Sequence, residues 1–186
     1  MEITERLHTT SREQWREWLV ENNSTKREIW ISTTKNPDGL HYLDAVEEAL
    51  CFGWIDSTIK AGDGVMWRRF SPRRKNSLWT ELNKERCRRL ERLGLMTDAG
   101  RAVLPSMNFH VDDDILTALQ CDEVVWQKFQ TLPALYVRVR IDNIQNVRKR
   151  SPEAFQRRLQ KFIENTRNGI MYGEWHDGGR LLSDIE

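Results

Sequence analysis

The sequence predicts an α+β fold, with a small antiparallel sheet packed against helices in the N-terminal part and a helical module after it. Three observations carry this. Residues 28–34, 54–60 and 65–71 are rich in β-branched and aromatic side chains, and the last two flank Ala61-Gly62-Asp63-Gly64, as antiparallel strands about a glycine-containing turn do. Apolar residues at helical spacing lie on either side of these strands. Beyond Leu104-Pro105-Ser106-Met107-Asn108-Phe109-His110, which reads as a linker, helical patterns dominate. The expected division is 1–104 for the mixed domain, 112–169 for the helical module and 170–186 for an irregular tail.

Ser11 with Gln14 three residues on forms a capping box, and Trp15, Trp18 and Leu19 follow on one face, so a first helix is expected over 11–22. Asn22-Asn23-Ser24 ends it. After the strand at 28–34, Asn36-Pro37-Asp38-Gly39 has the composition of a turn. A second helix should begin near Asp44, turn Val46, Ala49 and Leu50 inward and stop at Gly53. Ser77 is the expected cap of a third helix that runs through Leu93 to Gly94. Trp79, Leu82, Leu90 and Leu93 fall within one arc of that helix, and so do Asn83 and Arg86. An arginine on an apolar stripe must snorkel, pair with a buried acid or line a cavity, because an unpaired buried charge is very costly. A turn of helix from Thr97, helices over 112–120 and 122–132, and a last helix opened by Ser151-Pro152-Glu153 and closed by Gly169 complete the pattern. Val137-Arg138-Val139-Arg140-Ile141-Asp142 alternates like a strand.

Hydrophobic content of 39% with eight tryptophans sets the chain apart from disordered sequences, and 186 residues suffice for one ordinary domain or two small ones. No apolar run approaches the roughly 20 residues that span a bilayer, and Met1-Glu2-Ile3-Thr4-Glu5 lacks the basic start of a secretory signal, so no membrane partner and a cytoplasmic location are expected. Cys51, Cys87 and Cys121 are odd in number and lack a CxxC, and the four histidines are scattered. Neither a disulfide framework nor a metal site is expected. Nucleotide-binding glycine patterns and GxSxG are absent, and no cofactor is expected.

The formal charge is +1, but charge is segregated. Residues 67–92 hold ten Lys or Arg against three Glu and residues 136–161 eight against two, whereas 38–56 holds five acids without a Lys or Arg, as 112–123 holds five more. Compensation between these segments within the molecule is the plain account. The exception is the loop before the third helix, where Arg68, Arg69, Arg73, Arg74 and Lys75 precede a helix start capped by Ser77. Free N–H groups and the helix dipole there favour a phosphate or carboxylate; equally, Arg73 or Arg74 can pair with Asp56 and pin the hairpin. Trp54, Trp67 and Trp79, interleaved with arginines, are either stacking platforms or core residues. Cys51, with His41 upstream, is the obvious nucleophile candidate. The C-terminal end of a helix and apolar neighbours raise a thiol's pKa, and Cys51 is therefore expected to be a buried structural thiol.

Ser11-Arg12-Glu13-Gln14-Trp15, the signature Ala49-Leu50-Cys51-Phe52-Gly53-Trp54-Ile55-Asp56 and the segment 69–79 together resemble the YdeI/OmpD-associated family, also called bacteriocin-protection proteins. The resemblance covers most of the chain: the opening from Ser11 to Trp18, the signature from Glu48 to Asp56, the segment from Phe70 to Asn83 and, more loosely, the helical C-terminal part to Gly169. It implies a mixed N-terminal part followed by a helical module, a helix over 136–142, and a cytosolic role in tolerance of bacteriocins or antimicrobial peptides. The chain departs from the family pattern at Asn146-Val147-Arg148-Lys149-Arg150.

The functional expectation is a non-catalytic binding protein. Asp56 orients arginines, Arg73 and Arg74 neutralise an anion, Asn83 adds a directional hydrogen bond, and Arg86 anchors the base. Arg69 and Ser77 join the cluster and Trp54 and Trp79 wall it. Its partner is a small anionic ligand or an acidic protein segment. An enzyme acting on a small phosphorylated or carboxylated substrate, with Asp56 as acid or base, is a second reading, and a nucleic-acid binder using the two basic segments is a third.

Overall fold

The computed structural model describes residues 2–33, 39–75 and 77–182. Residues 36–38 of the turn expected over 36–39, Thr34 of the first expected strand, Asn76 of the basic loop and residues 183–186 of the tail lie outside the described residues. The chain divides into two compact units, residues 1–78 with 86–106 and residues 79–85 with 107–186. The fold is α+β, with a four-stranded sheet in the N-terminal half and helices in the C-terminal part.

The sheet of the first unit has the order β1-β2-β4-β3, made of β1 (Arg6–Leu7), β2 (Ile29–Ser32), β3 (Trp54–Gly62) and β4 (Val65–Pro72). The three expected strands pair antiparallel. The two-residue β1 adds a parallel pair on the edge of β2, which makes the sheet mixed. Two residues carry too little periodicity to be read as a strand.

Helix α1 (Arg12–Asn22) starts at its expected cap, where Ser11 Oγ accepts from Gln14 N at 3.3 Å. The reciprocal bond goes one residue further out than expected, from Thr10 N to Gln14 Oε1 at 3.1 Å. Trp15 fastens this helix on two sides. Its indole N–H donates to Ala45 O on α2 (Tyr42–Cys51) at 3.0 Å, and its ring lies 5.5 Å from that of Phe70 on β4. Val46, Ala49 and Leu50 of α2 are buried as expected, but so are Glu47 and Glu48. Arginines solvate these carboxylates: Arg12 bonds Glu48 at 2.5 Å and Glu47 at 2.8 Å, Arg16 bonds Glu48 at 2.6 Å, and Arg89 reaches Glu47 at 3.2 Å.

Gly53 ends α2 with φ of 74°, in the left-handed region that glycine adopts without strain. The carbonyl of Cys51 at this helix end accepts from both the hydroxyl of Thr97 (2.6 Å) and its N–H (3.1 Å). Thr97 also caps α4 (Asp98–Ala102), so α4 is docked on the end of α2. The approach is so close that a Cβ on Gly100 would stand 2.2 Å from the Cys51 carbonyl oxygen.

The third helix corrects the expectation built on Ser77. Helix α3 spans Glu81–Arg92, and Thr80 Oγ1 accepts from Asn83 N at 3.2 Å. Ser77 Oγ instead accepts from Arg74 N at 2.9 Å and closes a turn with Ser77 N on Arg74 O. Thr80 with Asn83 offered the same cap-to-N3 spacing three residues later. The inward arginine is observed, since Arg86 is buried with Cys87 and Leu90. Leu93, assigned to the same arc, is exposed.

In the second unit α5 (Asp113–Gln120), α6 (Glu123–Phe129), α7 (Ala134–Gln145) and α8 (Pro152–Asn168) enclose a core centred on Ile115, Tyr136, Val139, Ile144 and Phe162. Residues 137–142 are helical. The alternation of valine and arginine fits a strand only over six residues, while the buried residues Leu135, Tyr136, Val139, Ile141 and Ile144 include pairs three or four apart, as on a helix. Ser151 caps α8 with Pro152 at its first position and Gly169 closes it at φ 70°, as expected. The segment beyond is irregular apart from a 3-10 turn at Asp177–Gly179, yet Trp175 and Leu181 are buried in the core.

Two substitutions test what holds the first unit together. Gly100→Ala should cost about 3 kcal/mol or more in urea unfolding, because backbone rather than a flexible side chain obstructs the methyl group. Arg12→Met should cost about 2–3 kcal/mol, since it leaves two carboxylates that have no access to water short of donors.

Candidate functional site

The register of the hairpin decides which residues can meet Asp56. Asp56 stands opposite Phe70, so its side chain is on the face of the sheet that carries Phe70 and, two residues away, Arg68. Arg68 Nη1 donates to Asp56 Oδ2 at 2.9 Å, and the hydroxyl of Tyr42 donates to the same oxygen at 3.2 Å. The guanidinium of Arg68 lies 4.1 Å from the centroid of the Tyr42 ring, which makes a compact Asp56–Arg68–Tyr42 stack at the start of α2. Burial raises the Tyr42 phenol above its ordinary pKa and Asp56 pushes the same way, against Arg86 and Arg68.

Arg69 points to the opposite face of the sheet. It pairs with Glu28 at 2.7 Å and donates to Ser57 Oγ and Ser71 Oγ. The strand period of two therefore puts Arg68, not Arg69, beside Asp56. Trp54 is a core residue whose indole N–H donates to Asn23 O at 3.2 Å and whose ring meets Trp18 edge-on at 5.7 Å. Trp67 is buried against His8 and Arg6.

Arg73 is the most heavily desolvated cation of the loop. Only 7% of its surface is exposed, Nη1 donates to Leu78 O at 3.3 Å, and its backbone N–H holds Gly53 O at 2.9 Å. Burial pushes its guanidinium down to about 10, with Cys87 and Asp56 acting the other way. It remains protonated at neutral pH. Arg74 is exposed and contributes its backbone to the turn with Ser77. Arg86 is as buried as Arg73 and makes itself felt at Tyr42 and at Cys87. Of the expected cluster, Asp56, Arg73 and Arg86 thus share one electrostatic neighbourhood with Tyr42, Arg68 and Cys87, whereas Trp79 and Asn83 fall in the second unit.

The start of α3 does not offer a free anion site. Its first N–H, that of Glu81, donates to the carboxylate of Asp142 at 3.0 Å, so a side chain of the protein fills the role expected of a ligand. Burial raises the Asp142 carboxyl above its ordinary pKa, and this N–H opposes the rise.

Tyr42 was not singled out by the sequence, and Arg68 entered only as a donor of the basic loop, outside the cluster around Asp56. Arg68 was within reach of it, since Phe70 had to face the core and Arg68 shares its parity. Tyr42 gave no signal. The partners of Glu47 and Glu48 were also legible in retrospect: Arg12 and Arg16 are four apart on one helix, as Asp44 and Glu48 are on another, and opposite charges on two facing helix stripes can interlock.

Both interior thiols are inert by position. Cys51 is fully buried at the end of α2, and burial pushes it up to about 12, with the nearby Glu48 adding to the rise against Arg16. Cys87 is raised to about 12 for the same first reason despite the cation beside it. Among the described residues no three His, Cys, Asp or Glu side chains are placed to hold a metal, and no helix is long and apolar enough to cross a membrane.

Fold and site define a two-part α+β protein in which a mixed sheet with a partly buried arginine cluster precedes a helical module. The chain belongs to the family described as a domain of unknown function, DUF8412, whose model matches residues 7–103, more than half of it. Residues 108–169 match the model described as Bacteriocin-protection, YdeI or OmpD-Associated, so this part of the chain carries a YdeI/OmpD-associated domain. The family resemblance is therefore shown, with a shift in its location: the match falls on the helical part, where the motifs were loosest, and the Ala49-to-Asp56 signature lies within the other model. No curated protein and no solved structure matches the chain.

The thiols give a direct check. At pH 8 a thiol reagent should modify Cys121, which is exposed, while Cys51 and Cys87 react only when denaturant is added. Their native pKa values lie above the ordinary 9.0, so the unfolded state loses these protons first and stability falls as pH rises from about 9 toward 12. Cys51→Ala with Cys87→Ala should flatten that decline in denaturation measured across the same range.

Proposed function

We propose that the chain is a binding protein rather than a catalyst, and that the cluster of Asp56, Arg68, Arg73 and Arg86 holds the anionic group of a small molecule or of an acidic partner segment. The observation that carries this reading is the burial of Arg73. Its surroundings penalise the charged form strongly enough to bring the guanidinium to about 10, yet it stays charged at neutral pH. An anion beside it adds a charge-assisted hydrogen bond to those the guanidinium already makes, and hydrogen bonds between ionised partners are about twice as strong as neutral ones. Arg86 adds a second buried cation, and the Asp56–Arg68–Tyr42 stack fixes one border of the cluster.

Binding is favoured over catalysis because Cys87, which lies in the field of Arg73, is held protonated. The same reading places the protein in the cytoplasm, where three free thiols stay reduced. It also gives the family's bacteriocin-protection description a physical meaning, in which tolerance depends on what the cluster binds.

Backbone amide shifts of the full chain, followed during titration with succinate and with pyrophosphate at constant ionic strength, test the proposal. One of these anions should move the signals of residues 68–75 in the wild type and in Arg74→Ala, whose side chain is exposed, and not in Arg73→Ala. Unmoved signals in the wild type, or shifts that survive in Arg73→Ala, would reduce the cluster to a structural network.

A further inference from the structure

The second unit holds a basic surface that the arginine cluster does not account for. Of the two acids in the basic run 136–161, Asp142 serves the start of α3 and Glu153 accepts from the hydroxyl of Ser151. The cations of the same run are left to other uses. Arg140 and Asn143 stand three apart on α7, and Arg158 and Lys161 three apart on α8, so each pair shares one helix face. Gly169 then turns the chain back, and Tyr172 completes the lining of a cavity of about 300 Å³ with these four residues and Ile144.

From this arrangement we infer that the α7–α8 cavity is a binding site for a phosphoryl group carried by a small molecule. Three of its six lining residues are cations and none is a carboxylate. The guanidiniums are held by backbone carbonyls, Arg140 Nη2 by Glu174 O at 2.7 Å and Arg158 Nη1 by Asn143 O at 2.5 Å, which position them without cancelling their charge. The Nε of Arg140 is buried with no hydrogen-bond partner among the described residues. Tyr172 gathers the cations: Lys161 Nζ is 4.8 Å and the Arg140 guanidinium 5.5 Å from its ring centroid, and its phenol feels both Arg140 and Arg158.

A phosphoryl group suits this set better than a carboxylate. It carries up to two charges and three strong acceptor oxygens, enough to engage two guanidinium forks and an ammonium together. The volume is at the lower end of ligand cavities, about 300–1,000 Å³, which fits a phosphate with a small appendage. The site stands on residues separate from the Arg73 cluster, and either proposal can hold without the other.

Titration of the full chain with inorganic phosphate, pyrophosphate and glycerol 3-phosphate, with succinate and sodium chloride at matched ionic strength as references, tests the inference by amide shifts. The phosphorus compounds should move the signals of Arg140, Tyr172 and Gly173 with saturation, and the preferred one of the three distinguishes free phosphate from an ester. Lys161→Ala, whose side chain is exposed, should weaken that binding by about tenfold or more, Arg158→Ala should do the same, and Arg73→Ala should leave it unchanged. Equal response to sodium chloride or succinate, or unaltered affinity in Lys161→Ala with an unchanged melting temperature, overturns the site.

Discussion

The first unit depends on the solvation of two carboxylates that have no water. Glu47 and Glu48 occupy the buried face of α2 beside Val46, Ala49 and Leu50, where an ordinary helix would place apolar groups. Each is tolerable only because arginines reach it, Glu48 from α1 and Glu47 from both α1 and α3. Three helices are thereby held in one register by charge-assisted bonds that tolerate little displacement. Arg16 carries the constraint further through Nη2, which donates to Leu95 O at 3.0 Å and so ties in the turn that follows α3.

This network also sets what the hairpin can present. With α2 anchored, Tyr42 at its first turn stands where its hydroxyl meets Asp56 and its ring supports Arg68. The end of the same helix fixes Gly53, whose carbonyl holds the backbone of Arg73. Both borders of the arginine cluster thus derive from opposite ends of one ten-residue helix, and the positions of the charged groups follow from its packing and not from the loop that carries them.

Much of this was legible in the sequence, for identifiable reasons. The hairpin, the caps at Ser11 and Ser151 and the stop signals at Gly53 and Gly169 are local, each written in a few adjacent residues. The cap of α3 failed because Ser77 and Thr80 both satisfy the local rule, and only the turn that binds Ser77 to Arg74 discriminates between them. The makeup of the cluster failed at Arg69 because strand parity was not applied to the charged residues that flank Phe70. The burial of Glu47 and Glu48 was harder to read, since matching charge stripes on two helices suggest partners but only the packing of distant segments shows that they face each other.

The depth of these carboxylates separates the protein's ion pairs into two kinds under changing ionic strength. Mobile ions screen charges that solvent can reach, over roughly 8–10 Å at ordinary salt concentrations. The clamps Arg148–Asp114 and Arg167–Asp122 are open to solvent and are weakened by added salt. The pairs on Glu47 and Glu48 are closed to it at the carboxylate side, so brine that loosens the surface leaves the alignment of α1, α2 and α3 intact.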